Sequence, residues 1–283
     1  MTTHTNPSIA PDLRLSARQG LVTRTDSGWL AGFGNMLNKE LGEWFGTRRW
    51  LWQSLIWLVI INGFVGFMLF VLPTIEPAEF QSGANPPLHI VALTLFFSFA
   101  AMGGSIGMII LVQDEIIQEK QTGTAAWILS KPVSRHAFIL TKWISNVMGG
   151  LIFILTIPAA VTVAEIYLAG QPVTPKLNFL AGVGAVALML IFYASLVIML
   201  GVLFEQRGPV LGTAFGLMFG GMIAAQLVPQ VSYILPTSID QISLALSQGE
   251  ALPAVAISQL IMTAILSFIF MLIALWRFKR VEL

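Results

Sequence analysis

Residues 113–142 read QDEIIQEKQTGTAAWILSKPVSRHAFILTK and form the long charged interval between two apolar runs of the chain. They hold seven of its charged residues, which total 15 Lys or Arg and 14 Asp or Glu. A loop between two membrane helices can be as short as about four residues. The length and pattern of this stretch therefore predict a docking surface; the alternative is a solvated loop that anchors helix ends among lipid headgroups.

The middle of this stretch predicts a short helix. Gly123 can end a helical extension of the preceding apolar run, because glycine tolerates a left-handed turn there. Thr124 is expected to cap the new helix. The apolar members of that helix fall largely on one side and are Trp127, Ile128 and Leu129. We expect this helix to lie across the membrane surface, between two long helices.

The end of the stretch predicts where the next long helix begins. Pro132 forces Lys131 out of helical geometry. Ser134 then stands at the N-cap of the following helix, with Val133 and Phe138 at the N′ and N4 positions of a hydrophobic staple. A long helix is therefore expected directly after Ser134.

The composition is that of a membrane protein. The chain has 283 residues, of which 56% are hydrophobic and 10% charged, and its mean hydropathy is +0.80. Soluble domains carry roughly 25% charged residues, so the expected fold class is an all-α integral membrane protein. The net charge of +1 gives no indication of a nucleic-acid partner, and none is expected.

The residues needed for several kinds of chemistry are missing from the sequence. It has no cysteine, which excludes disulfides and thiolate metal sites, and its three histidines are far apart. No GxxxxGK[ST] phosphate loop occurs. We therefore expect a chain that is not an enzyme and that binds neither a metal nor a nucleotide cofactor.

The N-terminal region divides into a tail and an amphipathic helix. Residues 1–28 are polar, lack the apolar core of a signal peptide and are predicted to be a disordered cytoplasmic tail. Residues 30–49 predict a helix in the membrane interface, closed by Arg48 and Arg49; a helix that packs on a soluble partner is the alternative. The apolar side holds Leu30, Phe33, Leu37, Leu41, Trp44 and Phe45, and the polar side holds Asn35, Asn38, Lys39 and Glu43.

Six apolar runs are each long enough for the ~20 residues that cross a bilayer. The basic residues are distributed unevenly among the loops: all but Lys176 lie in the N-terminal region, residues 113–142, the 205–208 turn or the C-terminal tail. The positive-inside rule therefore predicts that both termini are cytoplasmic in a multi-pass protein of the cell membrane. The predicted spans are 51–72, 88–112, 143–168, 179–204, 210–228 and 255–276.

Two sets of glycines recur at four-residue spacing within these spans. Such a set leaves a smooth stripe where another helix can approach closely. Packing inside the subunit and a seam between two subunits are both open. The sets are Gly103 with Gly107, and Gly212 with Gly216 and Gly220.

The third span and the outer segment before the last span carry further signals. A continuous helix over residues 135–168 would be ~50 Å long, so it is expected to protrude from the membrane and to bend near Pro158. Glu165 lies near its outer end, where headgroup exposure is expected. Residues 229–253 are apolar but too short for two spans, which predicts two short helices dipping into the outer leaflet, or else a flap on the surface. Their defining positions are Ile234, Pro236, Ile239 and Ile242.

These residues resemble the membrane subunit of an ATP-binding-cassette transporter of ABC-2 type, over about residues 29–283. The six-span order, the amphipathic helix and the apolar outer segment agree with that resemblance. The motifs that carry it are Lys39-Glu40, Glu119-Lys120, Gly123-Thr124, Leu129-Ser130-Lys131-Pro132-Val133-Ser134-Arg135 and Lys142.

The resemblance implies a division of labour between chains. Such subunits pair with a second copy or a paralogous membrane subunit, and each binds a separate cytoplasmic ATPase that carries the ATP and magnesium. A coupling helix sits in a groove of the ATPase, and the interfacial helix rests against it, here through Phe33, Leu37, Lys39, Glu40, Trp44 and Arg48. The outer segment would close the outer side of the pathway as re-entrant helices. The coupling residues implied here are Glu119, Gly123, Thr124, Trp127, Ile128, Ser130, Lys131, Pro132, Ser134 and Arg135.

The implied mechanism is export driven by the partner ATPases. Their closure would push the coupling helices together, and the third span would transmit that motion to the dimer interface. No ring of charges or aromatic track inside the spans indicates a substrate. Two other functions are open: a non-transporting scaffold or regulatory subunit, and a membrane-embedded enzyme.

Overall fold

Six long apolar helices account for most of the computed structural model, which describes residues 28–75, 86–131 and 133–280. Three shorter helices complete the set of α-helices in these ranges, where no β strand occurs. The all-α, six-span prediction is thus confirmed. The long helices are α2 Arg49–Ile75, α3 Leu88–Gln121, α5 Arg135–Leu168, α6 Lys176–Leu203, α7 Arg207–Leu227 and α9 Ala254–Phe278, and the short ones are α1 Phe33–Phe45, α4 Thr124–Leu129 and α8 Ile239–Gln248.

The long helices extend beyond several of the predicted spans. Helix α5 begins at Arg135, as the predicted cap at Ser134 requires, eight residues before the predicted span at 143, and α6 and α7 each begin three residues before their predicted spans. Hydropathy marks only the part of a helix that is apolar enough for lipid, whereas charged turns can continue the helix into water. The predicted tail before residue 28 and the role of Pro132 fall outside the described residues.

The N-terminal helix is shorter than the predicted 30–49. Left-handed Gly32 precedes α1, and Gly46 ends it, so Arg48 lies between α1 and α2. Its buried side also differs from the predicted apolar stripe, because Leu30, Phe33, Leu37 and Leu41 are only partly buried and Phe45 is exposed. The stripe that packs against α5 has a four-residue repeat and consists of Met36, Glu40 and Trp44.

Helix α6 lies at the centre of the bundle. It is mostly buried, and it packs against α3, α5, α8 and α9. Helices α2, α7 and α9 are mostly exposed along their apolar faces, as expected of helices that meet lipid or a second membrane chain. The core therefore forms around one central span rather than between equivalent ones.

The two glycine sets have different surroundings. A Cβ atom added at Gly107 would lie 2.1 Å from the ring of Trp57 on α2, and one added at Gly103 would lie 3.6 Å from it. This pair therefore packs inside the subunit. The second set faces open space, because no atom of the described residues lies within 4 Å of a Cβ added at Gly212, Gly216 or Gly220 of α7.

The third span is one continuous helix of 34 residues, about 51 Å long at 1.5 Å per residue. A π-helical stretch, Leu151–Thr156, ends two residues before Pro158. Proline cannot donate the regular backbone hydrogen bond and crowds the preceding turn, which accounts for a wider turn at this point.

The segment before the last span contains one α-helix, not two. A 3₁₀ turn at Pro229–Tyr233 leads to α8, which packs against α6 and the first part of α3. Helix α8 lies so close to α6 that a Cβ atom at Gly182 would be 2.5 Å from the Ser243 carbonyl oxygen. Of the defining residues of this segment, Pro236, Ile239 and Ile242 are buried and Ile234 is exposed.

Candidate functional site: a buried charge cluster beside a short helix

The N-cap of the short helix α4 lies one residue earlier than expected, at Gly123 instead of Thr124. Gly123 has a left-handed backbone (φ 71°) and ends the preceding turn as predicted, but it is also the N-cap residue. Thr124 is already helical, and its hydroxyl lies 2.8 Å from the Thr122 hydroxyl instead of capping a backbone N–H. The prediction that Thr124 caps α4 is therefore wrong, because its hydroxyl forms a hydrogen bond with the Thr122 hydroxyl.

The apolar residues of α4 do not share one side. Ile128 is buried and Leu129 packs partly against the core, whereas the Trp127 side chain is 62% exposed. Neighbouring helical residues point about 100° apart, so burying Ile128 leaves Trp127 pointing outwards. The Lys131 ammonium lies 3.5 Å from the centre of the Trp127 ring, a cation–π contact.

The predicted start of the third span is confirmed at Ser134. Its hydroxyl accepts a hydrogen bond from the Ala137 backbone N–H at 3.0 Å and donates one to the Trp29 carbonyl at 2.6 Å. Next to it, the Arg135 guanidinium donates to the carbonyls of Phe278 (3.1 Å) and Lys279 (2.8 Å) at the end of α9. The start of α5 is thus tied to both terminal regions of the described chain.

A charge cluster joins α1, α3 and α5 beside the short helix. We define it as Glu40, Glu115, Glu119 and Lys142. The Lys142 ammonium, only 3% exposed, lies 2.9 Å from a Glu119 oxygen, 3.3 Å from Glu40 and 3.5 Å from Glu115. A buried ammonium is stable only when such partners compensate for its lost hydration.

Two further cations balance the charge cluster at its edge. Lys39 lies 3.3 Å from Glu40 and 3.8 Å from Glu119, and Arg49 lies 3.4 Å from Glu115. Burial by itself lowers the pKa of the Lys39 ammonium, but attraction to Glu40 and Glu119 outweighs it and holds this pKa above its ordinary value. Three cations therefore match three carboxylates.

The C-terminal part of α3 also contacts the end of α6 and the start of α7. The Lys120 ammonium donates to the carbonyls of Phe204 at 2.8 Å and Val202 at 3.4 Å, at the C-terminal end of α6. Such carbonyls have no partner within their own helix and attract cations. Arg207 lies 2.6 Å from Asp114. The end of α3 that leads into α4 is therefore attached to α5, α6 and α7.

The structure brings only part of the predicted site together. Glu119, Lys39 and Glu40 meet in or at the charge cluster, whereas Arg48 is exposed and Trp44 is buried under the Arg49 guanidinium. The site residues that were not predicted are Glu115, Arg49 and the site role of Lys142. Their sequence signal was weak: each is a charge at the end of an apolar run, where headgroups are the ordinary explanation.

Glu165 is not simply exposed to headgroups as expected. The Asn62 side-chain amide, buried on α2, donates to the Glu165 carboxylate at 3.2 Å, the Thr162 hydroxyl at 2.9 Å and the Pro158 carbonyl at 3.1 Å. Glu165 is half-buried. The partner that keeps it between two spans is 103 residues away in the chain, so the sequence around Glu165 gives no sign of it.

No three histidine, aspartate or glutamate side chains are grouped so that they could hold a metal ion, in the part of the chain that the structure describes. What the charge cluster can do is mechanical. It fastens α1 and the end of α3 that leads into α4 to the third span through charge-assisted contacts of 2.9–3.5 Å, which are stronger than hydrogen bonds between neutral groups. A displacement of α4 that moves the end of α3 should therefore move the N-terminal part of α5 with it.

Comparison with known proteins gives a family and a relative. The relative is "Uncharacterized transmembrane protein YxlG" of Bacillus subtilis (strain 168), which is 26% identical over 253 residues, covering 83% of this chain and 96% of the relative. Its description agrees with the six long apolar helices, and the chain is a multi-pass membrane protein. The family described as "Protein of unknown function (DUF2705)" matches residues 54–283, and the chain belongs to it.

Proposed function

We propose that this chain is the membrane subunit of an ATP-binding-cassette transporter of ABC-2 type. In this proposal it forms an export pathway as a dimer, with a second copy of itself or a paralogous subunit, and binds a separate cytoplasmic ATPase. The observation that carries the proposal is an exposed tryptophan, Trp127, on a short helix. This helix directly follows the end of α3 that the charge cluster ties to the third span.

The contacts around α4 suit the transmission of a push from a partner. The end of α3 before this helix is tied to α5 through Lys142, and the residues after the helix are tied to α9 through Arg135. An ATPase that moves Trp127 therefore moves two spans together. A solvated loop that only anchors helix ends would not require a buried lysine with three carboxylate partners.

The orientation follows from the charges. The charge cluster, with Arg49 of α2 at its edge, brings residues of α1, α2, α3 and α5 to one end of the bundle, and Arg207 lies at that same end through Asp114. By the positive-inside rule this end is cytoplasmic. Helix α1 then lies at the inner membrane surface, with exposed Phe45 near lipid and with its charged side available to the ATPase.

The outer segment would close the pathway on the opposite side. Asp240, at the start of α8, lies 3.5 Å from the Ser98 hydroxyl, ten residues along α3 from Leu88, or about 15 Å. This contact supports a re-entrant α8 that reaches into the outer half of the bilayer. The helical backbone pairs its own polar groups, as a segment at that depth requires.

The dimer would use the exposed face of α7. The stripe of Gly212, Gly216 and Gly220 meets no other described part of the subunit, and glycine stripes of this spacing let two membrane helices approach closely. Occupation of this face by a second membrane subunit accounts for a span that is apolar yet poorly packed against its own chain.

The proposal can be tested by reconstitution. The chain should be purified with its ATPase, placed in liposomes and assayed for ATP hydrolysis with and without a panel of amphipathic compounds. We expect the complex to hydrolyse ATP, a compound in the panel to stimulate it, and the chain alone to show no hydrolysis. A complex whose hydrolysis no compound alters would favour the scaffold function, and hydrolysis by the isolated chain would contradict the proposal.

A further inference from the structure

A methionine-lined cavity lies between α3, α6, α7 and the start of α8. Its volume is about 90 Å³. Met189, Met218 and the Tyr193 ring form its buried inner wall, and Met102 and Met222 stand at its exposed side. Methionine is flexible and polarisable, so a wall rich in it adapts to apolar groups of different shape.

One carboxylate, Asp240, lines this cavity. Its one hydrogen bond within the described chain is the long contact from the Ser98 hydroxyl, at 3.5 Å, and no lysine or arginine of the described residues pairs with it. Residues 229–253 contain no basic residue at all. A carboxylate close to the middle of the apolar part of α3 is costly unless something compensates for its charge.

The helix itself compensates only in part. Asp240 lies in the first turn of α8, where the N-terminal end of a helix favours a negative charge. That effect explains an acid at this position but not the cavity beside it. Most ligand sites are apolar hollows with a few polar groups that fix orientation, and this cavity has that composition.

The size and lining select a chemical class. A cavity of about 90 Å³ is too small for a whole drug-sized ligand, whose sites are about 300–1,000 Å³, but it can hold a compact head such as a trimethylammonium group. The Asp240 carboxylate would pair with the charge, and the Tyr193 ring offers a cation–π face. The apolar part of such a ligand would extend out of the cavity between Met102 (43% exposed) and Met222 (37% exposed).

We infer that this cavity binds the cationic head of an amphipathic organic cation, with Asp240 as its charge partner. The identity of that cation as transported cargo rests on the proposed export function. The binding itself does not, because every residue of the site belongs to one copy of this chain.

Binding can be measured on the whole chain in lipid nanodiscs, without an ATPase. The probe is radiolabelled benzyltrimethylammonium, and neopentylbenzene, its neutral carbon isostere, is the competitor. We expect saturable binding that the isostere displaces poorly. Asp240→Asn should weaken probe affinity at least about tenfold, the effect of losing roughly 1.4 kcal/mol. Glu250→Gln, which changes an exposed acid of the same outer segment, is the matched control and should bind normally.

A second variant tests the cavity independently of the carboxylate. Met102→Trp fills the exposed side without changing a buried residue, and we expect it to weaken probe affinity at least about tenfold too. Wild-type affinity in either variant, or an equal loss in Glu250→Gln, would overturn the inference. Failure of the export function would appear elsewhere: the ATPase would not bind, while probe affinity in the isolated chain would be unchanged.

Discussion

Lys142 and Asp240 are both charged residues among apolar helices, but only Lys142 has partners of opposite charge. Lys142 is 3% exposed and lies within 3.5 Å of three carboxylates. Asp240 has a hydroxyl at 3.5 Å and no basic partner among the described residues. The chain therefore neutralises Lys142 at one end of the bundle and leaves Asp240, beside a cavity deeper among the spans, only partly compensated.

The difference indicates what each region is for. A charge cluster whose carboxylates are balanced by neighbouring cations needs no ligand, and its contacts join three helices into one unit. An unpaired carboxylate beside a cavity needs a counter-charge from outside the chain. We therefore assign the charge cluster the role of joining the helices next to α4, and we assign the cavity the role of binding a ligand.

The largest effect is expected from removing the central ammonium of the charge cluster. Lys142→Met keeps an unbranched side chain of nearly the same length but leaves Glu40, Glu115 and Glu119 facing one another without the ammonium group. Breaking a buried ion pair from one side costs about 3–5 kcal/mol. The thermal unfolding midpoint in detergent should fall clearly.

A matched control and a rescue make that result specific. Lys176→Met removes an exposed lysine and should change stability by no more than about 0.5 kcal/mol. Adding Glu119→Gln to Lys142→Met removes one of the repelling carboxylates, so part of the lost stability should return. If Lys142→Met unfolds like the wild type, the charge cluster is not a structural brace.

The second prediction concerns the exposed group that the cluster supports. Trp127→Ala should leave the subunit inserted and dimeric but weaken ATPase binding by about 2 kcal/mol or more, roughly thirtyfold. The assay is the amount of co-purified ATPase per membrane-inserted subunit. Trp52→Ala on α2, where the side chain is similarly exposed (58%), is the control and should retain the ATPase.

Trp127 also has a simpler explanation, which predicts a different outcome. Aromatic residues are common in the membrane interface, and a tryptophan that only anchors the loop in headgroups would be needed for insertion. In that case Trp127→Ala would insert less well and yet bind the ATPase at an unchanged ratio.

The smallest effect is expected at Arg135. Its guanidinium binds the last carbonyls of α9 at the surface, where exposed charged contacts contribute at most about 1 kcal/mol. Arg135→Ala should therefore reduce ATPase recruitment less than Trp127→Ala does, measured in the same co-purification assay. An equal or larger loss would mean that the α5–α9 contact, rather than α4, determines recruitment.

Local signals in the sequence were enough for part of this structure. Apolar runs of sufficient length gave the six spans, and the N-cap at Ser134 and the left-handed Gly123 were readable from their neighbours. Local reading went wrong at Thr124, because its hydroxyl meets Thr122 instead of a backbone N–H. It also put Trp127 on the same side as Ile128, since the face that the core would bury was unknown.

The functional groups were harder to predict because their partners are distant in the sequence. Lys142 and Glu40 are 102 residues apart, and Ser98 and Asp240 are 142 apart. Asp240 stood in a segment read only for its apolar residues, so its position near the middle of a span was not foreseen. The two glycine sets show the same limit: their spacing is identical, but only packing reveals which one Trp57 fills.

The central claim, that α4 docks on an ATPase, is tested most directly by a single-cysteine cross-link. The chain has no cysteine, so Ala126→Cys, exposed beside Trp127, places one reactive thiol on α4. Gln248→Cys, exposed at the end of α8, is the control at the opposite end of the bundle. With a short thiol-to-amine cross-linker, we predict that Ala126→Cys captures the ATPase and Gln248→Cys does not. Labelling of Ala126→Cys by an impermeant reagent outside intact cells, with no capture of the ATPase, would contradict the account.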